Sequence, residues 1–240
     1  MNILITSGGT TEKIDSVRGI TNFSTGRLGC AIAEEFVKLS HNVLYVCGKT
    51  AAIPASLSGA AIHPVSDTSS LVHTIQDLAA SCTIDVFIHA MAVSDYTITA
   101  AADSTHINMS STLTGSIKSA DLRNVANGKI SSDIESLVLL LERTPKVIRM
   151  LRGIAPDAIL VGFKLLENVP RGTLFDAALN LMRTNDCDFV LANDGTEIAG
   201  DKHVGYLFDR SSEYTQHNTK AEIAAAIASA VITLKRSKPS

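Results

Sequence analysis

The 240-residue chain sets 21 Lys and Arg against 24 Asp and Glu, a formal charge of −3, and 45% of it is apolar. That balance leaves no electrostatic footprint for DNA or RNA, and an aromatic share of 5% without tryptophan leaves no base-stacking surface. No apolar run approaches the ~18 residues of a membrane-spanning helix, and MNILITSGG lacks the basic segment of a secretory signal, so a soluble, cytoplasmic protein is expected.

Asn2–Thr6 (NILIT) reads as a buried strand closed by Ser7-Gly8-Gly9. A helix is expected from near Thr25, because Leu28, Ala31, Ile32, Phe36 and Leu39 recur on one stripe. The polar, glycine-studded stretch between them far exceeds the ~2–6 residues usual for such a connection. Val43–Cys47 is a second strand and Ala61–Val65 a weaker third, followed by a helix over roughly 67–80. Ile84–Met91 (IDVFIHAM) is continuously apolar, as a central parallel strand should be.

The segment 97–127 breaks the pattern, being Ser/Thr/Ala-rich with weak periodicity, and suggests a lid or a dimer arm. Thr144-Pro145 reads as an N-cap and first helical residue of a helix to about Arg152. Asp157–Phe163 and Cys187–Leu191 are further strands, separated by a helix near 172–183. Thr219 to Glu222 has the capping-box spacing and opens a last helix to about Lys235. The alternation predicts an α/β, Rossmann-like, doubly wound and mostly parallel sheet with helices on both faces, in one domain over 1–240.

The four cysteines, Cys30, Cys47, Cys82 and Cys187, are far apart and read as core or near-core thiols. The seven histidines form no metal-binding pattern.

Ligands of open α/β sheets bind beyond the carboxyl ends of the strands. After the first strand comes SGGTTEKIDSVRGITNFSTGRLG, after the fourth AVSDYT, after the fifth KLLEN and after the sixth AND. The first loop fits neither GxGxxG nor the Walker A pattern. Ser24-Thr25-Gly26 at a helix start offers amide groups to an anion, and Ser7-Gly8-Gly9-Thr10 offers close backbone approach. A long turn with a good cap is the other reading of the same residues.

Taken together, TSGGTTEKIDSVRGITNFSTGRLG, HAMAVSDYT, GKISS, RTPKVI, GFKLL and FVLAND resemble, in order, the phosphopantothenate–cysteine ligases of coenzyme A biosynthesis. The resemblance runs from Met1 to about the last helix and is greatest to the free-standing bacterial form, with no decarboxylase domain expected ahead of it. It implies a two-step ligation. The carboxylate of 4′-phosphopantothenate attacks the α-phosphate of CTP (ATP being the other choice), and the amine of L-cysteine then displaces the nucleoside monophosphate. It also implies Mg²⁺, a homodimer and a separate flavin-dependent decarboxylase acting next.

The resemblance assigns Asn22 and Lys129 to catalysis, Asn22 at the acyl intermediate and Lys129 beside the triphosphate. The family's lysine run continues here as Ser131 and Ser132, so that charge is either missing or comes from elsewhere, with Lys146 and Lys164 as candidates. Met91, Ala92, Val93 and Asp95 match the segment lining the nucleotide pocket, with Asp95 set either to accept from the nucleotide or to help hold Mg²⁺. Met91 replaces the family's alanine. Thr144 and Pro145 match a nucleotide-contacting helix start, and Phe163 an aromatic packed on the base. Lysines that bifunctional relatives carry before the sixth strand are not evident near 181–185. Ser24, Thr25, Gly26 and Arg27 are assigned to substrate, with Arg27, Arg18 and Lys13 as candidate phosphate ligands or plain surface ion pairs.

Two rivals use the same architecture. An NAD(P)-dependent oxidoreductase would need a glycine fingerprint and usually a Tyr-x-x-x-Lys pair, and Tyr45, Tyr96, Tyr206 and Tyr214 have no lysine four residues on. A non-catalytic nucleotide-binding module would bind nucleotide without turnover.

Overall fold

The apolar runs pair side by side as parallel strands in the computed structural model, which describes residues 1–55, 59–104, 128–200 and 202–237. In chain order, β1 (Asn2–Ser7) leads into a hairpin of β2 (Thr11–Lys13) and β3 (Gly19–Thr21), then α1 (Arg27–Lys38), β4 (Asn42–Gly48), β5 (Ala60–Val65) and α2 (Thr68–Ser81). Next come β6 (Val86–His89), a ribbon of β7 (Tyr96–Asp103) and β8 (Leu137–Arg143), α3 (Val147–Ile154), β9 (Ile159–Leu166) and α4 (Arg171–Asn185). β10 (Phe189–Asp194), a 3₁₀ turn, β11 (Ile198–Ala199), β12 (Lys202–Asp209), β13 (Tyr214–Thr219) and α5 (Lys220–Ser237) complete the chain.

The main sheet runs β11-β12-β10-β9-β6-β1-β4-β5, with β13 on the outer side of β12. The strands from β5 to β10 are parallel, and β12 is antiparallel to β10. From β1 the chain winds outward through β4 and β5, then returns to the centre at β6 and winds the other way. The direction therefore reverses between β1 and β6, where such sheets open a crevice.

Side chains alternate across each strand, so the sheet has two apolar faces. Leu4, Phe87, Leu160 and Val190 pack under α2, α3 and α4. Ile3, Ile5, Ile88 and Val161 pack under α1, through Ile32 and Phe36, and under α5, through Ile223, Ile227 and Val231. The expected doubly wound sheet is the observed one. Cys30, Cys47 and Cys187 are buried and Cys82 half-buried, all as free thiols, and burial pushes Cys187 up to about 12. Among the described residues no helix is long and apolar enough to cross a membrane.

At the edge away from the crevice, Asp85 accepts the Asn2 amide at 2.8 Å and the Lys235 ammonium at 2.8 Å, joining the first strand to the last helix. α2 is capped by Asp67, which accepts from Ser70 N–H while the Ser70 hydroxyl accepts from Asp67 N–H. Thr219 accepts from the Glu222 amide, but Glu222 reaches back to Asn218 N–H, one residue beyond the expected reciprocal partner.

Several expectations shift. The strand expected over Ile84–Met91 spans only Val86–His89, so Met91 belongs to the loop beyond it. The helix expected at Thr25 begins at Arg27, because Gly26 takes a left-handed φ of 68°. Thr144 and Pro145 do not open α3. Its N-cap is Lys146, while the Thr144 hydroxyl donates to the Ser94 carbonyl and its amide to the Asp95 carbonyl. The start of the expected lid or arm is the strand β7, paired antiparallel with β8; its remainder, 105–127, lies outside the described residues.

Candidate active site

The long opening loop is a hairpin with a defined seat. Asp15 closes its tip by accepting from the Val17 and Arg18 amides, each at 2.8 Å, and its other oxygen accepts from the Ile130 amide at 3.1 Å. These bonds, Val17's first, hold the Asp15 carboxyl below its ordinary range. Glu12 accepts from the Thr68 amide and hydroxyl with one oxygen and from the Thr97 hydroxyl with the other. The hairpin is thereby tied to the start of α2, to β7 and to the segment before β8.

Backbones crowd where this loop leaves β1. A Cβ on Gly9 would meet the Asn22 carbonyl oxygen at 2.1 Å, and one on Gly48 would meet the Gly9 oxygen at 2.3 Å. The glycines allow close approach, but of protein to protein. Ser7 donates to the Gly26 carbonyl. Thr10 donates to the Ser94 hydroxyl and accepts from the Ser94 amide. Ser7 thus ties β1 to the start of α1, and Gly8 and Thr10, both expected with Gly9 at the nucleotide, tie it to the loop after β6. Gly9 and Ala92 form a parallel bridge there.

A cavity of about 360 Å³ opens beyond β6 and β9, lined by Met91, Val93, Asp95, Pro145 and Phe163 of the expected nucleotide set. Lys146 and Lys164, the two candidates for the missing charge, line it as well. Among the lining residues that sequence reasoning missed are His89 and Arg149. Arg149 follows Lys146 by three positions and so shares its helix face. His89 is a polar residue closing an apolar strand at the sheet's carboxyl edge, a signal present in IDVFIHAM. Asp95 pairs with Lys146 at the rim.

Asn22 is held at the edge of this cavity, its side-chain amide donating to the Val93 carbonyl at 3.0 Å. That bond fixes the amide, and its second N–H has no partner among the described residues. Thr144 lines an adjoining recess of about 630 Å³ with Asp95 and Arg143. Ser24, Thr25 and Arg27 stand at the start of α1, where no side chain caps the helix; Arg27 is exposed and makes no ion pair among the described residues. Arg18 pairs with Asp15 at 3.4 Å and reaches the Ile130 carbonyl at 3.5 Å. Lys129 is exposed beside that anchor, on the hairpin side, and does not line the cavity.

Among the described residues no group of three or more His, Cys, Asp or Glu is placed to hold a metal. One carboxylate, Asp95, lines the cavity among several cations. Such a set suits Mg²⁺ carried on a triphosphate, which needs few protein ligands. On β10, Asp194 accepts from Thr196 N–H and hydroxyl and from the Asn168 and Val169 amides, which hold its carboxyl down to about 2. It fixes the turn that follows β9.

A family model described as the DNA/pantothenate metabolism flavoprotein C-terminal domain matches residues 1–115 and 116–234. The chain is 28% identical over 237 residues to the coenzyme A biosynthesis bifunctional protein CoaBC of Methanocaldococcus jannaschii, covering 98% of this chain and 51% of that protein. It thus spans about half the length of the curated relatives it matches. Among solved structures, the DNA/pantothenate metabolism flavoprotein from Streptococcus pneumoniae is 35% identical with a TM-score of 0.85, covering 98% of this chain and 99% of the other. The C-terminal domain of a CoaBC protein is 25% identical with a TM-score of 0.73, covering 99% and 96%.

Proposed function

Because the chain belongs to the family of the DNA/pantothenate metabolism flavoprotein C-terminal domain, we propose that it is a phosphopantothenate–cysteine ligase of coenzyme A biosynthesis. A carboxylate is a poor acyl donor until it carries a leaving group. In the first step a carboxylate oxygen of 4′-phosphopantothenate attacks the α-phosphorus of CTP, and pyrophosphate departs. In the second, the cysteine nitrogen attacks the acyl carbon, and CMP leaves with the bonding pair as the amide forms.

The observation that carries this reading is the Asn22–Val93 hydrogen bond, which ties the opening hairpin to the wall of the cavity at the point where the sheet reverses. The nucleotide is assigned to that cavity, its base toward Phe163 and its phosphates toward Lys146, Arg149 and Lys164. Mg²⁺, arriving on the triphosphate with Asp95 as its protein neighbour, would neutralise phosphate charge. The uncommitted N–H of Asn22 is assigned to the acyl oxygen that turns negative when cysteine attacks. Crowding at Gly9 and Gly48 holds that amide in place before substrate arrives.

We assign the protein to the cytoplasm and to a homodimer, with a flavin-dependent decarboxylase consuming its product. The test mixes protein with 4′-phosphopantothenate, L-cysteine, Mg²⁺ and either CTP or ATP, and follows pyrophosphate and the amide. Release of both with CTP at the higher rate is expected; nucleotide binding with neither product overturns the ligase.

A further inference from the structure

We propose that His89 is a nucleotide-binding residue, its Nε2–H donating to an acceptor on the edge of the base at the floor of the cavity. The inference rests on the assignment of that cavity to nucleotide and adds a contact which the family resemblance does not supply.

The position is set by the sheet. His89 is the last residue of β6, in register with Thr6 of β1 and Gly162 of β9. It therefore sits at the reversal between β1 and β6, and across the strands it lies one residue from Phe163. Alternation along the strand turns Phe163 to the other face of the sheet from His89, and both line the cavity, so the ring donor meets the edge of a base independently of the aromatic.

The proton inventory fixes the tautomer. The Thr6 hydroxyl lies 2.8 Å from His89 Nδ1, and it has no other hydrogen-bond partner among the described residues. Thr6 is buried, so its proton needs an acceptor, and Nδ1 is the one within reach. Thr6 then donates, Nδ1 accepts, and the ring hydrogen resides on Nε2. Burial lowers the His89 pKa to about 4, so the ring is neutral at physiological pH and Nε2 is a donor without charge.

Nε2 has no protein partner among the described residues. Unlike Nδ1 of His203, which is sealed in without a partner, it is reachable from the cavity that His89 lines. Accepting from Thr6 occupies Nδ1 alone and leaves Nε2–H to the cavity. A base whose edge carries an acceptor, as cytosine does, complements such a donor.

Two measurements test this. Long-range ¹H–¹⁵N spectra of the unsubstituted protein, with His89 assigned by its loss in His89→Gln, should show the Nε2–H tautomer and a shift of Nε2 on adding CTP or CMP. Calorimetric titration should show His89→Leu binding both nucleotides roughly tenfold more weakly, a loss typical of one hydrogen bond. His89→Gln, which keeps a donor, should recover much of that loss, and Thr6→Val should weaken binding by freeing the tautomer. In turnover the change belongs in KM for CTP and not in KM for cysteine. An Nδ1–H tautomer, an Nε2 signal indifferent to CTP, or a folded His89→Leu variant binding CTP normally would each overturn the inference and leave the ligase standing. An unsubstituted protein that binds no nucleotide would sink both.

Discussion

At the scale of single residues, the side chains that matter are those whose hydrogen-bonding capacity is only partly spent. Asn22 gives one amide proton to Val93 and keeps another, so Asn22→Ala should leave the first-turnover burst of pyrophosphate intact while amide formation, and with it steady-state pyrophosphate release, falls on the order of 100-fold. Parallel assays of the two products check this, and an unchanged amide rate would refute the role. Asp194 is the opposite case, with its carboxylate fully employed by its neighbours. Its folded pKa of about 2 lies below the ordinary value of about 3.9, so its stabilisation is complete above the latter and lost as pH falls through the former. Asp194→Asn should therefore lower the melting temperature at pH 7, by a margin that shrinks as the pH falls through that window. Phe163, Asp95 and Met91 were legible as pocket residues because each lies in a motif that resembles the ligases, at or beyond the expected end of an apolar strand. His89 was not, since a histidine inside an apolar run gives no sign of which ring nitrogen the core will claim.

At the scale of elements, the sheet was legible where strands are buried on both faces and read as continuous apolar runs, as in β1, β4, β6, β9 and β10. β5 was legible as a weaker strand over Ala61–Val65, while β2, β3, β7 and β13 were missed for separate reasons. β2 and β3 have three residues each, too few for any period. β7 is built of small residues, and β13 (YTQHNT) is polar throughout because β12 supplies the apolar side of that pair. The opening hairpin is the element whose placement most affects chemistry, and Gly9 is where it can be tested. A methyl group on Gly9 would collide with the Asn22 carbonyl at 2.1 Å, and that atom is backbone, which cannot swing aside. Gly9→Ala should destabilise the fold by about 1–3 kcal/mol and displace Asn22, so ligation should fall further than stability in paired melting and activity measurements.

At the scale of the whole molecule, the ribbon of β7 and β8 stands apart from the main sheet, and two strands alone are marginally stable in water. Leu137 and Leu141 are 36% and 42% exposed on it, and Phe23 on the opening loop is 98% exposed. Apolar surface of this kind suits the proposed homodimer. Replacing Leu137 and Leu141 together by lysine should shift sedimentation from dimer to monomer, and a fully active unsubstituted monomer would overturn the assembly. Asp85 has a different consequence. By grasping both the Asn2 amide and Lys235, it brings the two ends of the described chain together on the side of the sheet opposite the cavity. A short peptide tether from Ser237 to Met1 would then bridge neighbouring points, so a circularly permuted protein, reopened in a surface turn, should still take up nucleotide. A protein fused ahead of Met1 would emerge on that same far side, clear of the cavity mouth.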